Sequence, residues 1–182
     1  MSGGHGPGAH GENKTVALII AILALMLAVA EILGQKAQTQ TLQSNIEASN
    51  LWSFFQAKTI RRTIADTAAD EMETMISGVA SEATRKAMTE RVARFRATAQ
   101  RMESEPDTKE GRKELMARAK AAEAVRDKAG IKHYRFELAS GSFQIAIVVA
   151  SASIITGIAA MLWGAGGLAV LGVFFLLGGL FA

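Results

Sequence analysis

The 182-residue chain carries twenty Lys and Arg against seventeen Asp and Glu, is 49% hydrophobic and contains no cysteine. The lack of thiols excludes disulfides and thiol catalysis. A pI near 9.4 is compatible with nucleic-acid binding, but the cations are interleaved with acids rather than gathered on one stripe, so a solvated helical surface and no nucleic-acid partner are expected.

Charge divides the chain. Only Lys14 of the twenty cations lies outside residues 35–141, a span that also holds fifteen of the seventeen acids, so two nearly uncharged flanks enclose a charged middle. Residues 1–14 form a Gly-rich tail with His5 and His10. Its apolar surface is too small to offset the entropy of ordering, and disorder without a bound metal is expected.

Residues 15–34 form the first predicted transmembrane helix. The apolar stretch 16–33 gives roughly 27 Å of helix, a slightly short span. Ala28, Val29 and Ala30 have the small-x-small form of a signal-peptidase site, yet one cation leads the segment and numbering starts at Met1, so an uncleaved anchor is expected. Ala17, Ala21, Ala24 and Ala28 fall on one face, and Glu31 continues it. Small residues let another backbone approach closely in lipid, so this face is predicted to pack on protein. Glu31 then joins that contact or reaches interfacial water at the end of the span.

From 35 to 105 there is no proline, and the stretch reads as long helix. Leu42, Ile46, Ser53, Ala57, Ile60 and Ile64 extend the Ala17-to-Glu31 face along it. Trp52, Phe54 and Phe55 followed by Lys58, Arg61 and Arg62 have the order expected where apolar surface meets phosphate head groups, and are predicted to lie at the membrane interface. A heptad-like stripe, Met88, Val92, Phe95, Ala99 and Met102, predicts coiled-coil-like packing. The helix should break near 104–107 at Pro106, where Asp107 and Glu110 resemble a capping box, and a helix should return from about 108.

The two arms of this hairpin are unequal: about seventy residues go out and about thirty-five return, a mismatch of roughly 50 Å. The outgoing arm must therefore bend, run along the membrane or fold back. Ser49-Asn50 and Ser77-Gly78 are the expected turning points, and the aromatic group favours an interfacial run.

Residues 142–163 form the second predicted span, with Ala146, Ala150, Ser153, Gly157 and Ala160 repeating the small-residue pattern. Trp163 is expected at the far interface, and Gly164, Gly166 and Gly167 are expected to reverse the chain. Residues 165–182 are long enough for a third crossing or a re-entrant segment. Arg126, Lys128, Lys132, Arg135 and Lys36 gather at the middle-domain ends of the spans, which places that domain in the cytoplasm. The fold class is thus an all-α membrane protein: an N-terminal transmembrane helix, a helical cytoplasmic domain over 35–141, and a C-terminal transmembrane hairpin.

The stretch QSNIEASNLWSFFQAKTIRRT (43–63), preceded by an anchor ending in Glu31, Ile32, Leu33 and Gly34 and closed by a second hydrophobic region, resembles a bacterial membrane family catalogued as domain of unknown function 4337. Trp52 and Gln56-Ala57-Lys58 carry the likeness most specifically. The resemblance implies a bacterial inner-membrane protein with a helical cytoplasmic region, and it brings no reaction, substrate or cofactor.

These readings lead to a homo-oligomeric scaffold, assembled through the small-residue membrane faces and the cytoplasmic helices, whose partners are the bilayer and further copies of itself. The alternative is an oligomeric ion or small-solute channel with Glu31 near its cytoplasmic mouth. No enzyme or cofactor is expected: His133 is the one histidine outside the tail, and no nucleophile elbow, phosphate loop or paired-His spacing accompanies it.

Overall fold

A computed structural model describes residues 8–182, with side chains from Lys14 onward. The described residues form four helices, α1 (Gly8–Ile76), α2 (Glu82–Glu103), α3 (Arg112–Thr156) and α4 (Ala159–Leu180), and no strand. Helices α1, α3 and α4 each contain a stretch long and apolar enough to cross a membrane. The expected disordered tail lies, for residues 1–7, outside the described residues, as does the side chain of His10; α1 is assigned from Gly8. Two compact units divide the chain, one comprising Met1–Leu42 and Arg126–Ala182, the other Gln43–Val125.

In the first unit, burial recurs every seven residues on all three helices. It falls on Val16, Leu23, Ala30 and Ala37 of α1, on Phe136, Phe143 and Ala150 of α3, and on Ala165, Gly172 and Gly179 of α4. Seven residues is close to two helical turns, so this spacing keeps one stripe turned toward a neighbouring helix. Ala139, Ala146 and Ser153 form a second buried row on α3. Rings of α3 sit against glycines of α4. A Cβ at Gly172 would lie 2.6 Å from the Phe143 ring and one at Gly179 2.6 Å from the Phe136 ring, while one at Gly34 would sit 3.5 Å from Phe136 Cβ. Since Phe143 is fully buried, its ring has no room to retreat.

The reversal between α3 and α4 lies earlier than the sequence suggests. Gly164, Gly166 and Gly167 continue inside α4, and the chain turns at Gly157 and Ile158. Gly157 adopts φ +70°, a left-handed conformation that glycine reaches without steric penalty. Its N–H still donates to Ser153 (2.9 Å), and the Thr156 hydroxyl donates to Ala152 while accepting from the Ile158 N–H, so the end of α3 is closed locally.

The second unit resolves the unequal hairpin by folding back. Helix α1 ends at Ile76, Ser77 and Gly78 form the turn, and Ser81 caps α2 by accepting from the Thr84 N–H. Of the two expected turning points, Ser77-Gly78 is used, and Ser49-Asn50 remains within helix. Val92 and Ala99 of α2 are buried, as are Ala65 and Ala69 of α1. Arg96 of α2 reaches Asp66, Asp70 and Glu73, and the hydrogen bonds to Asp70 and then Glu73 raise its already high pKa. A separate core joins Ala48 and Leu51 of α1 to Leu115, Ala119 and Ala122 of α3.

The connector from 104 to 111 closes on Glu114 rather than on Asp107 and Glu110. Ser104 Oγ donates to the Glu114 carboxylate at 2.6 Å and the Glu105 N–H donates to it at 3.2 Å. Gly111 is required beneath this arrangement, because a Cβ there would collide with that carboxylate and with the Glu105 backbone. The hydrogen bond from Ser104 holds the Glu114 carboxyl below its usual pKa.

Two outcomes follow from these contacts. Gly172→Ala should destabilise the first unit by about 1–3 kcal/mol through overpacking against Phe143, whereas Gly166→Ala, which meets nothing within 4 Å, should be neutral or slightly stabilising; thermal unfolding in detergent measures the difference. A depressed carboxyl pKa stabilises the fold fully above the unfolded glutamate value of about 4.3 and loses that contribution as pH falls through the folded value. Glu114→Gln should therefore flatten the pH dependence of unfolding in that acid window, and an unchanged profile would contradict the connector's role.

Candidate functional site

The residues singled out by sequence separate into those the chain covers and those it leaves open. Ala146 and Ala150 of α3 are fully buried and Ser153 nearly so, with Ala146 in the cluster of Phe136 and Phe143 and Ala150 against Val16 and Ala165. The small-residue face of α3 is thus used within the chain over these three positions. Gly157 instead makes the turn, and Ala160 is exposed in the first turn of α4.

The alanines of the corresponding face of α1 are not used in this way. Ala17, Ala21, Ala24, Ala28 and Glu31 are all exposed, because α1 packs through the adjacent stripe of Val16, Leu23, Ala30 and Ala37. Ala30, Gly34 and Ala37 are small enough to receive Phe136 and its neighbours, so the close approach inside the unit is made one position away from the alanine row. Leu18, Leu25 and Ile32, at 61–66% exposure, line another open face of the same helix, one compatible with contact by lipid chains.

At the lower end of the alanine row the surface becomes polar. Glu31 accepts from Gln144 Nε2 at 3.3 Å, and with Gln35, Gln38, His133, Glu137 and Ser140 it lines a groove of about 310 Å³. His133 Nδ1 lies 3.1 Å from the Gly34 carbonyl, which favours the proton on Nδ1 and leaves Nε2 as an acceptor. Two carboxyls and an imidazole thus share one groove beside an apolar stretch of helix. They do not form a nucleophile with an adjacent base, and among the described residues no group of three or more His, Asp or Glu is arranged to hold a metal ion.

The aromatic and basic stretch makes contacts within the second unit. Trp52, Phe54 and Phe55 are half-buried and pack on the Leu51–Leu115 core of the second unit. Trp52 Nε1 donates to Glu123 at 2.9 Å, and its ring meets Phe55 edge-on with centroids 5.4 Å apart. Lys58, only 5% exposed, lies between the Phe54 ring and Glu105, its Nζ 3.5 Å from the carboxylate. Arg62 pairs with Glu103 at 2.9 Å, and Arg112 joins the same carboxylate while stacking on Phe55. Lys58, Arg62 and the Trp52 indole thus each find an acid of their own unit. The sequence order could not reveal this, because Glu103, Glu105 and Glu123 stand forty or more residues away. Arg61 and Trp163 do face outward, Trp163 at 84% exposure.

The signal that sequence reasoning missed is the seven-residue row on α1. Val16, Leu23, Ala30, Ala37, Ser44, Leu51, Lys58 and Ala65 are all buried and evenly spaced, but Ser44 and Lys58 interrupt the apolar pattern that marks such a row.

No curated protein and no solved structure matches the chain. The family pattern described as Domain of unknown function (DUF4337) matches residues 12–182, and the chain belongs to that family.

Proposed function

We propose that this chain is a bacterial inner-membrane protein that assembles with copies of itself into a scaffold, through the alanine face of α1 within the bilayer and helical surfaces outside it. The observation that carries this reading is the open row of Ala17, Ala21, Ala24 and Ala28 on a helix whose neighbouring stripe already serves the chain's own packing. In lipid, where apolar side chains gain little by leaving the solvent, such a row favours another helix because it permits close backbone approach. Exposed Ile46, Ile60 and Ile64 on α1 in the charged unit supply apolar surface for the same assembly in water.

All three apolar helices cross the membrane in this reading, with the charged unit cytoplasmic. Lys36, Arg126, Lys128, Lys132 and Arg135 at the ends of the spans support that orientation. The contact of Arg135 with the Gly178 carbonyl, which joins the end of α4 to the charged part of α3, supports a full crossing by α4.

A second reading is an oligomeric channel, favoured by the Glu31–Gln144 pair at the end of the open alanine row. Glu31 would then sit at a shared cytoplasmic mouth, and Glu31→Gln should alter ion selectivity in planar bilayers; absence of conductance from a purified oligomer would contradict it. For the scaffold itself, light scattering in mild detergent should give a defined oligomer, and replacing Ala21 and Ala24 together by Leu should weaken association at least tenfold. A wild-type chain that stays monomeric as concentration rises would refute the assembly.

A further inference from the structure

A second groove in the first unit, of about 210 Å³, opens where the apolar part of α1 ends. Its polar lining consists of Lys36, Gln40 and Lys132, and its apolar lining of Leu33, Phe136 and Leu180, with Ala37 and Gly179 between them. No acid contributes to it. Lys132 is half-buried and Lys36 exposed, and neither forms a hydrogen bond or ion pair with another described residue. Two ammonium groups beside one small groove, with no acid in its lining, give it an excess of positive charge.

The nearest strong donor cannot substitute for either lysine, since the Arg135 guanidinium is engaged by the Gly178 carbonyl. That bond also settles part of the negative end of α4, so the two lysines are not needed as its cap. What complements the groove is an anion with an apolar body: negative charge between the ammonium groups, an amide to share a hydrogen bond, and hydrocarbon against Leu33, Phe136 and Leu180.

We infer that the groove lined by Lys36, Gln40 and Lys132 binds the phosphate of an anionic phospholipid from the surrounding bilayer, with an acyl chain passing along Leu33 and Leu180. The site rests on the reading that the apolar helices lie in a membrane, and does not depend on self-assembly. Both lysines contact the phosphate, Gln40 donates to one of its oxygens, and Phe136, held by Gly179, forms the rigid floor. A bound lipid would thereby connect α1, α3 and the end of α4 at one depth.

The test uses the full chain purified in mild detergent and native mass spectrometry with phosphatidylglycerol, phosphatidylcholine or inorganic phosphate added separately. Phosphatidylglycerol should be retained at least about tenfold more tightly than phosphatidylcholine. The double variant Lys36→Gln, Lys132→Gln should lose that preference, the double variant Lys36→Arg, Lys132→Arg should keep it, and Lys120→Gln, which changes an exposed cation of the other unit, should leave it intact. Equal retention of the two lipids overturns the site, as does the same loss with Lys120→Gln or inorganic phosphate binding as tightly as the lipid. If the Gln variant loses helicity by circular dichroism, the Arg variant and the wild-type lipid preference decide the matter. The same spectra report oligomeric state, so a monomer that prefers phosphatidylglycerol refutes the scaffold and upholds the site. Release of the chain from membranes by alkaline carbonate would refute both the membrane reading and the lipid site.

Discussion

The fold of the first unit depends on aromatic rings seated directly on glycine backbone. Phe136 and Phe143, seven residues apart on α3, occupy the space that side chains at Gly179 and Gly172 of α4 would fill, and Phe136 also faces Gly34 of α1. Close association of apolar helices relies on dispersion contacts at short range and on complementary shape. Ring against backbone supplies both. The arrangement fixes register as well, because a shift of one residue on either helix would set Phe143 against a side chain.

The second unit solves a different problem with different means. Its helices carry many charges and a modest apolar core, and polar contacts complete what packing leaves open. Glu103 accepts from both Arg62 and Arg112, Glu105 reaches the buried ammonium of Lys58, and Glu123 meets the Trp52 indole. Three acids on the far side of the chain thus satisfy donors on α1. Such bonds contribute modest net stability, but leaving a buried donor unmet is costly, so they select this pairing of helices over others.

Much of the architecture was legible because it follows from local composition. Apolar length identified three membrane-competent segments, the Pro106 region marked a break, and the unequal hairpin arms demanded a turn that Ser77 and Gly78 supply. The position of the last reversal was not legible in the same way. Four glycines lie between 157 and 167, and only the backbone shows that Gly157 takes the left-handed conformation while Gly164, Gly166 and Gly167 stay helical. The alanine row of α1 was readable as a face, but which of two adjacent stripes serves the chain itself depends on where Phe136 lies. Trp52, Phe54, Phe55 and Lys58 were the least readable, since their surroundings are set by acids distant in sequence and the same residues suit either a head group or a carboxylate.

The chain's lack of cysteine makes the role of the alanine face directly measurable. Single cysteines at Ala17, Ala21, Ala24 or Ala28, oxidised in native membranes, should each give a crosslinked dimer, whereas cysteines at Leu18, Leu25 or Ile32 should give little. Crosslinking confined to positions 18, 25 and 32, or none at any of the seven, would contradict assembly through this face.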